Sequence, residues 1–355
     1  MAYLCNDDNP PSIAGGCARL SGNDSDSNTQ LLYEIAGGGW YGGTDVPMGS
    51  QTHTVAKGLF DVGQELELDP ASIDSRDENG KTPLHWACQS NNPAVVKLLL
   101  REGADSNIAD FVGQTPLMAA ARRGASACAK ILLLQPSCKV DKLDAQGRSA
   151  LHYAAASPYD EGYQVMRLLL DRGADPKRRN QGGEQPLHEL ASCYTSALSR
   201  DEVGQRIVLL ARFGAPLESP DAWGYTPALQ AAAENNHKAL AMLLALGIAV
   251  DVVDGDLQGL LHLAALFGGS EMFKQLKSMK TMLVGLIDPH AVDYQGDTPS
   301  ALFDWRRYAS LGGCGSWATT PTPEDVTLFE DLLQTLQGKA TVAAGARPPL
   351  ATVTG

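Results

Sequence analysis

Thr82-Pro83-Leu84-His85-Trp86-Ala87-Cys88 opens a block that returns as Thr115-Pro116-Leu117-Met118, Ser149-Ala150-Leu151-His152 and Gln185-Pro186-Leu187-His188. Weaker copies follow in Thr226-Pro227-Ala228-Leu229, Gly259-Leu260-Leu261-His262 and Thr298-Pro299-Ser300-Ala301. The starts of these seven blocks lie 33, 34, 36, 41, 33 and 39 residues apart. A period near 33 residues marks a stacked array, in which each unit buries against its neighbours the apolar face that it cannot enclose alone. One elongated array, rather than two or three compact domains, is therefore the expectation for the 355 residues.

Each unit carries a second regular block. Val95-Val96-Lys97-Leu98-Leu99-Leu100-Arg101-Glu102-Gly103-Ala104-Asp105 is matched by Val165-Met166-Arg167-Leu168-Leu169-Leu170-Asp171-Arg172-Gly173-Ala174-Asp175. The unit thus reads as helix, short turn, helix and an extended finger. Thr82 stands where an N-cap belongs, and Pro83 supplies a helical φ in the first turn. Small residues at Ala87-Cys88, Ala120-Ala121, Ala154-Ala155, Ala231-Ala232 and Ala264-Ala265 let the first helices pack closely, while the leucines of the second helix fill the layer behind. Gly103, Gly173, Gly214 and Gly247 end helices where a left-handed residue is wanted. Asp77-Glu78-Asn79-Gly80, Asp144-Ala145-Gln146-Gly147 and Asp221-Ala222-Trp223-Gly224 are turn sequences that tip the fingers.

Together these blocks resemble the ankyrin repeat, over residues 77–300 and in diverged form over 29–338. The 21-residue interval from Thr82 to Gly103 and from Thr226 to Gly247 fits that pattern; Thr115 to Pro136 keeps the interval and loses the glycine. The resemblance implies an all-α solenoid of helix-turn-helix units with β-turn fingers, elongated and curved. It also implies that His85, His152, His188 and His262 are structural, bonding within their own block and to the adjoining repeat. A bond of that kind is expected to be missing at Met118 and Leu229. Fingertips and exposed first-helix positions would line a concave face, carrying Trp86, Tyr153, Trp223, Tyr225 and Phe111 with Arg122, Arg123 and Gln230 nearby. Aromatic and Arg side chains dominate binding hot spots, but Trp86 and Tyr153 are equally suited to filling gaps between helices. Trp223 and Tyr225, on either side of Gly224, are the favoured contact residues.

Departures from the period place the domain divisions. Ser149 to Gly173 is 24 residues and Gln185 to Gly214 is 29, implying insertions near Pro158–Asp160 and Tyr194–Asp201 between paired helices. These are either partner-specific loops or neutral drift, since surface loops tolerate length. Residues 1–28 read as a flexible leader, 29–76 as a degenerate N-terminal capping repeat with a glycine-rich insertion, and 77–297 as the array. Residues 298–339 read as a degenerate C-terminal capping repeat, interrupted by a loop at 311–321, and 340–355 as a disordered tail. Within the C-terminal cap, Thr322-Pro323-Glu324-Asp325 starts a helix whose Val326, Phe329, Leu333 and Leu336 share one face, to close the stack or to dock a partner.

Composition narrows the function. A net charge of −13 speaks against nonspecific affinity for nucleic acid or anionic membrane. Seven cysteines without a CxxC pair indicate neither a disulfide framework nor a zinc site. No run reaches the length of a membrane span and no basic-then-apolar leader opens the chain, so an intracellular, cytoplasmic or nuclear, location is expected. Phosphate loops, HExxH and GxSxG are absent. The reading is a non-catalytic scaffold that binds a partner protein, with no cofactor, metal, small molecule, nucleic acid or membrane. Two alternatives are an adaptor, such as a ubiquitin-ligase substrate receptor or transcriptional co-regulator, and an accessory protein of a biosynthetic pathway.

Overall fold

The structure, a computed structural model, describes residues 73–193, 198–309 and 320–337. The leader, the tail, nearly all of the N-terminal cap and most of the loop at 311–321 lie outside the described residues. Within them the helices in chain order are α1 Pro83–Gln89, α2 Pro93–Arg101, α3 Pro116–Arg122, α4 Ser126–Leu133 and α5 Ala150–Ala155. They continue as α6 Gly162–Asp171, α7 Pro186–Ser192, α8 Arg200–Arg212, α9 Pro227–Ala233 and α10 His237–Ala245. The last are α11 Leu260–Phe267, α12 Ser270–Ser278, α13 Lys280–Leu283, α14 Pro299–Ala309 and α15 Pro323–Gln337. No strand occurs among the described residues; Val253 and Gly259 form one isolated bridge.

Two rows of helices build the array. First helices pack in the order α1, α3, α5, α7, α9, α11, α14, and second helices in the order α2, α4, α6, α8, α10, α12, α15. The short first helices start on extended N-cap residues, Thr82, Thr115, Ser149, Gln185, Thr226 and Gly259, so each one begins at the same point of its repeat. Their small residues, Ala87, Ala120, Ala154, Ala231 and Ala264, are fully buried against the next repeat. Leu99, Leu132, Leu169, Leu210, Leu243 and Leu276 fill the layer behind with no exposure. Burial of this kind, about 25 cal/mol per Å² of apolar surface, drives the stacking.

Second helices end where the glycines stand: Gly103, Gly173, Gly214 and Gly247 take φ of 103°, 85°, 85° and 80°. At the repeat that lacks this glycine, Leu134 caps α4 in right-handed conformation as Glu102 caps α2, but Gln135 in the place of the glycine is not left-handed, and Pro136 follows. At the far end α15 takes the second-helix place beside α12. Phe329 stacks on Phe303 with ring centres 4.3 Å apart and meets Phe273 at 5.3 Å, while Leu332 and Leu336 are buried.

The fingers share one turn. Asp77, Asp110, Asp144, Asn180, Asp221, Asp254 and Asp293 each accept, on Oδ1, the amide of the residue four ahead. The fourth position of this turn is left-handed, and glycine holds it at residues 80, 113, 147, 183, 224 and 296. In the sixth finger the position falls to Leu257, at φ 62°. A left-handed residue with a Cβ costs roughly 1–2 kcal/mol, and the Leu257 side chain is exposed, recovering little by packing. Leu257→Gly is expected to raise unfolding free energy by about 1 kcal/mol. A urea midpoint that stays put or drops would contradict that strain.

Candidate protein-binding face

Finger is tied to finger along the array by backbone bonds. Phe111, Ala145, Gln181, Ala222, Gly255 and Tyr294 each donate an amide to a carbonyl of the preceding fingertip, at 2.9–3.0 Å. Side chains at these tips are therefore carried on a bonded ladder rather than on loose loops. Two stretches of the ladder present large apolar groups to solvent. On the second finger Phe111 is 70% exposed, with Val112 beside it. On the fifth to seventh fingers Trp223 (46% exposed) is followed by Leu257 and by Tyr294 (79% exposed), with Val253 and Val292 at the finger bases. The third and fourth fingertips between them carry Ala145, Gln146, Gln181 and Gly182.

Both leading aromatics rest on the glycine surface of the finger before them. A Cβ at Gly80 would fall 2.7 Å from the Phe111 ring, and one at Gly182 would fall 3.0 Å from the Trp223 ring. One ring face is thus supported and the other faces solvent. Tyr294 escaped the sequence reading although its signal was present: Asp293-Tyr294-Gln295-Gly296 repeats the turn pattern quoted for three other fingers.

In the first and third repeats the residue nine places after the turn Asp lies on the first helix and turns back to it. Trp86 Nε1 donates to Asp77 Oδ2 at 2.9 Å, and the Tyr153 hydroxyl donates to Asp144 Oδ2 at 2.6 Å. In the fourth repeat Asn180 Nδ2 donates instead to Glu184 Oε2 at 2.7 Å, and Glu189 holds the helix position. Cations stack on the two aromatics: Lys81 Nζ lies 4.9 Å from the Trp86 ring centre and the Arg148 guanidinium 4.7 Å from that of Tyr153. Tyr153 is only 8% exposed and also accepts from Gln114 Nε2, so it fills and braces the stack. Trp86, Tyr225 and Gln230 are half-buried, and Arg122 and Arg123 are exposed. Tyr225 contributes a side-chain hydrogen bond to Asp254 of the next finger.

Glu189 stands among carboxylates. Burial first, and then the neighbouring Glu184, push its carboxyl up to about 7, with Arg148 acting the other way. Burial likewise raises Glu234, with Glu184 adding to the effect.

The histidines lie behind this face. His85 Nδ1 accepts the Thr82 amide at 3.1 Å, leaving Nε2–H to donate to Gln114 O of the next repeat at 2.9 Å. His152, His188 and His262 repeat the arrangement toward Glu184 O, Tyr225 O and Ala291 O. Burial lowers the pKa of His85 and His188 and takes His152 down to about 4. Met118 keeps half of the device: its Sδ accepts the Thr115 amide at 3.4 Å, so only the bond to the next repeat is lost.

The insertion of the third repeat is gripped from both sides. Arg206 of α8, with no exposure, donates through Nη1 to Ser157 O and through Nη2 to Tyr159 O. Arg123 donates to the Tyr159 hydroxyl and lies 5.0 Å from its ring centre. The second insertion falls between α7 and α8, with 194–197 outside the described residues. Among the described residues no group of three or more metal-ligating side chains occurs, and no helix is long and apolar enough to cross a membrane.

A family model for ankyrin repeats in three copies matches residues 51–144 and 109–180. The rice (Oryza sativa subsp. japonica) probable E3 ubiquitin-protein ligase XBOS33 is 35% identical over 195 residues, covering 53% of this chain and 36% of the ligase. The human transient receptor potential cation channel subfamily A member 1 is 29% identical over 208 residues, 58% of this chain and 16% of the channel. The yeast (Saccharomyces cerevisiae) probable 26S proteasome regulatory subunit p28 is 27% identical over 202 residues, 55% of this chain and 84% of the subunit. The crystal structure of the human ASB11 ankyrin-repeat domain superposes with a TM-score of 0.54 at 20% identity, covering 70% of this chain and 97% of that domain. Residues 51–180 thus match ankyrin repeats and the described residues share the ankyrin-repeat fold, generally a non-catalytic interaction module.

Proposed function

We propose that the chain is a scaffold that binds a partner protein along its fingertips and exposed first-helix positions. The observation that carries this reading is the set of solvent-facing aromatics, Phe111, Trp223 and Tyr294, on turns locked to one another by backbone bonds. Such groups present large contact area with little conformational freedom to lose on binding. Exposed apolar clusters of this kind mark interaction surfaces. Trp223 is the anchor of the fifth to seventh fingers and Phe111 that of the second. Tyr225, Trp86, Arg122, Arg123 and Gln230 form the surroundings, and Tyr153 supports them from beneath. The names of XBOS33 and of mouse ankyrin repeat and SOCS box protein 16, 32% identical over 222 residues, support a second reading as a recruiting subunit of a ubiquitin ligase.

A photo-crosslinking amino acid at Ala222, in cells of the source organism, tests the first reading against the same probe at Lys130 on α4. One protein captured from Ala222 and not from Lys130 is the expected result. Trp223→Ala should weaken its binding at least about tenfold, the scale of a hot-spot residue. Capture from Lys130 alone, or undiminished binding by the variant, would refute the fingertip assignment.

A further inference from the structure

Each finger from the second to the seventh is seated on the finger before it, and the seventh carries none in turn. At each junction the residue after the turn Asp or Asn donates its amide to the carbonyl two places past the turn residue of the preceding finger, from Phe111 on Asn79 to Tyr294 on Asp256. The residue following that carbonyl is a left-handed glycine at every junction but the last, where it is Leu257. A Cβ at Gly80, Gly113, Gly147, Gly183 or Gly224 would fall 2.8–3.1 Å from the amide nitrogen of the seated tip. In the seventh finger the corresponding groups are Gln295 O and Gly296, both residues exposed. Among the described residues Gln295 O accepts no hydrogen bond, and nothing lies within 4 Å of where a Cβ on Gly296 would stand. A row of backbone groups left open at its end is a template for pairing with another chain. Terminal repeats ordinarily turn a polar face to water, yet Tyr294 and Val292 are exposed on this finger.

We infer that this open seat takes a turn of the partner protein as an eighth finger, a turn with Asp or Asn first and a small residue second, flanked by Lys or Arg. The second residue donates its N–H to Gln295 O and lies on Gly296, as Ala145 lies on Gly113 and Ala222 on Gly183. The occupied junctions supply the backbone part of this description, and the seat continues their ladder. Charge supplies the rest. Residues 248–259 and 285–298, the last two fingers, contain Asp251, Asp254, Asp256, Asp288, Asp293 and Asp297 and no Lys or Arg. The first finger of a second copy, Asp77-Glu78-Asn79-Gly80, is a poor occupant: Glu78 would bring a further carboxylate to that acidic tip, between chains of net charge −13. This assignment rests on the protein-binding reading above and extends it from side chains to backbone.

The test uses the full chain, labelled for NMR, and a synthetic peptide of residues 142–150 closed by a disulfide through Leu143→Cys and Ser149→Cys. The peptide presents the third-finger turn with Lys142 and Arg148 at its sides. Every amide of that turn from Asp144 to Arg148 except that of Ala145 is bonded within the turn. N-methylation at Ala145 therefore removes the docking donor and spares the turn. Saturable shifts of the Gln295 carbonyl and the Gly296 amide are expected. N-methylation should weaken binding about fivefold, the scale of one hydrogen bond, and salt at about 0.5 M should weaken it further. Equal affinity of the two peptides, shifts confined to other fingers, or no saturable shift would each overturn the assignment. Sedimentation of the chain alone should show a monomer; assembly that the peptide competes away would give the seat to a second copy instead of a partner turn. The peptide needs no captured partner, so failure at Trp223 and failure at Gln295 are separate results.

Discussion

Arg206→Met is expected to lower unfolding free energy by about 2 kcal/mol, although it removes a charge from the interior. The guanidinium, fully buried on α8, donates to Ser157 O and Tyr159 O past the end of α5; Tyr159 O also accepts the Gly162 amide at the start of α6, whereas Ser157 O depends on Arg206. Burial pulls Arg206 below the ordinary arginine range, against the attraction of Cys193, Glu202 and Asp160, yet an arginine so shifted is still charged at neutral pH. The residue is therefore costly to bury. Its Nε lacks a partner as well. Against that cost stand the Ser157 carbonyl, which Met would leave unsatisfied at about 1–3 kcal/mol, and the lost charge-assisted bond to Tyr159 O, and these decide the sign. The chain has made room for the guanidinium: a Cβ at Gly162 would lie 2.8 Å from Nη2, so Gly162→Ala should be destabilising too. Urea unfolding measures the loss, and limited proteolysis at 158–161 should report it locally. A loss below about 1 kcal/mol would mean that the Arg123–Tyr159 contact holds the insertion by itself.

How much of this was legible beforehand differs from residue to residue. The repeat register was open to reading because each landmark acts through its own backbone: an extended N-cap at Thr82, a left-handed helix end at Gly103. The role of the histidines came from resemblance, and Met118 departs from it because a thioether sulfur also accepts an amide. Trp86 and Tyr153 could not be settled between filling and contact. Their nine-residue spacing from Asp77 and Asp144 was visible, but its meaning depends on how the finger folds back over the helix, which is a tertiary distance. Arg206 carried no signal at all. Its acceptors are carbonyls 47 and 49 residues earlier, in an insertion that breaks the very period used to read the chain. The loop read as drift or partner contact is held in the stack by Arg206 and Arg123.

A profile of stability against pH should be nearly flat between pH 7.5 and 4.5 in the wild-type chain and steep in Glu189→Gln. Two opposed titrations share that window. His152 is neutral in the fold with its pKa near 4, against 6.5 in the free side chain, so the unfolded chain takes up the proton first. Its contribution, about 3 kcal/mol, is complete above pH 6.5 and is lost as the pH falls toward 4. His85 and His188, also lowered by burial, add to the loss. Glu189 runs the other way: with its carboxyl raised from 4.5 to about 7, the fold takes up the proton first, and stability rises as the pH falls from 7 to 4.5. That gain is about 2 kcal/mol once its half-buried position is discounted for solvent screening. Glu234, Asp74 and Asp254, all raised by burial, act in the same sense as Glu189. Glu189→Gln should accordingly be about 2 kcal/mol more stable than wild type at pH 8 and equal to it near pH 4.5, exposing the histidine loss. His152→Met, after the pattern of Met118, should do the reverse and leave a protein that gains stability on mild acidification. Parallel urea series at pH 8, 6 and 4.5 distinguish the three. Profiles of equal slope in all of them would show that neither Glu189 nor His152 titrates as its surroundings require.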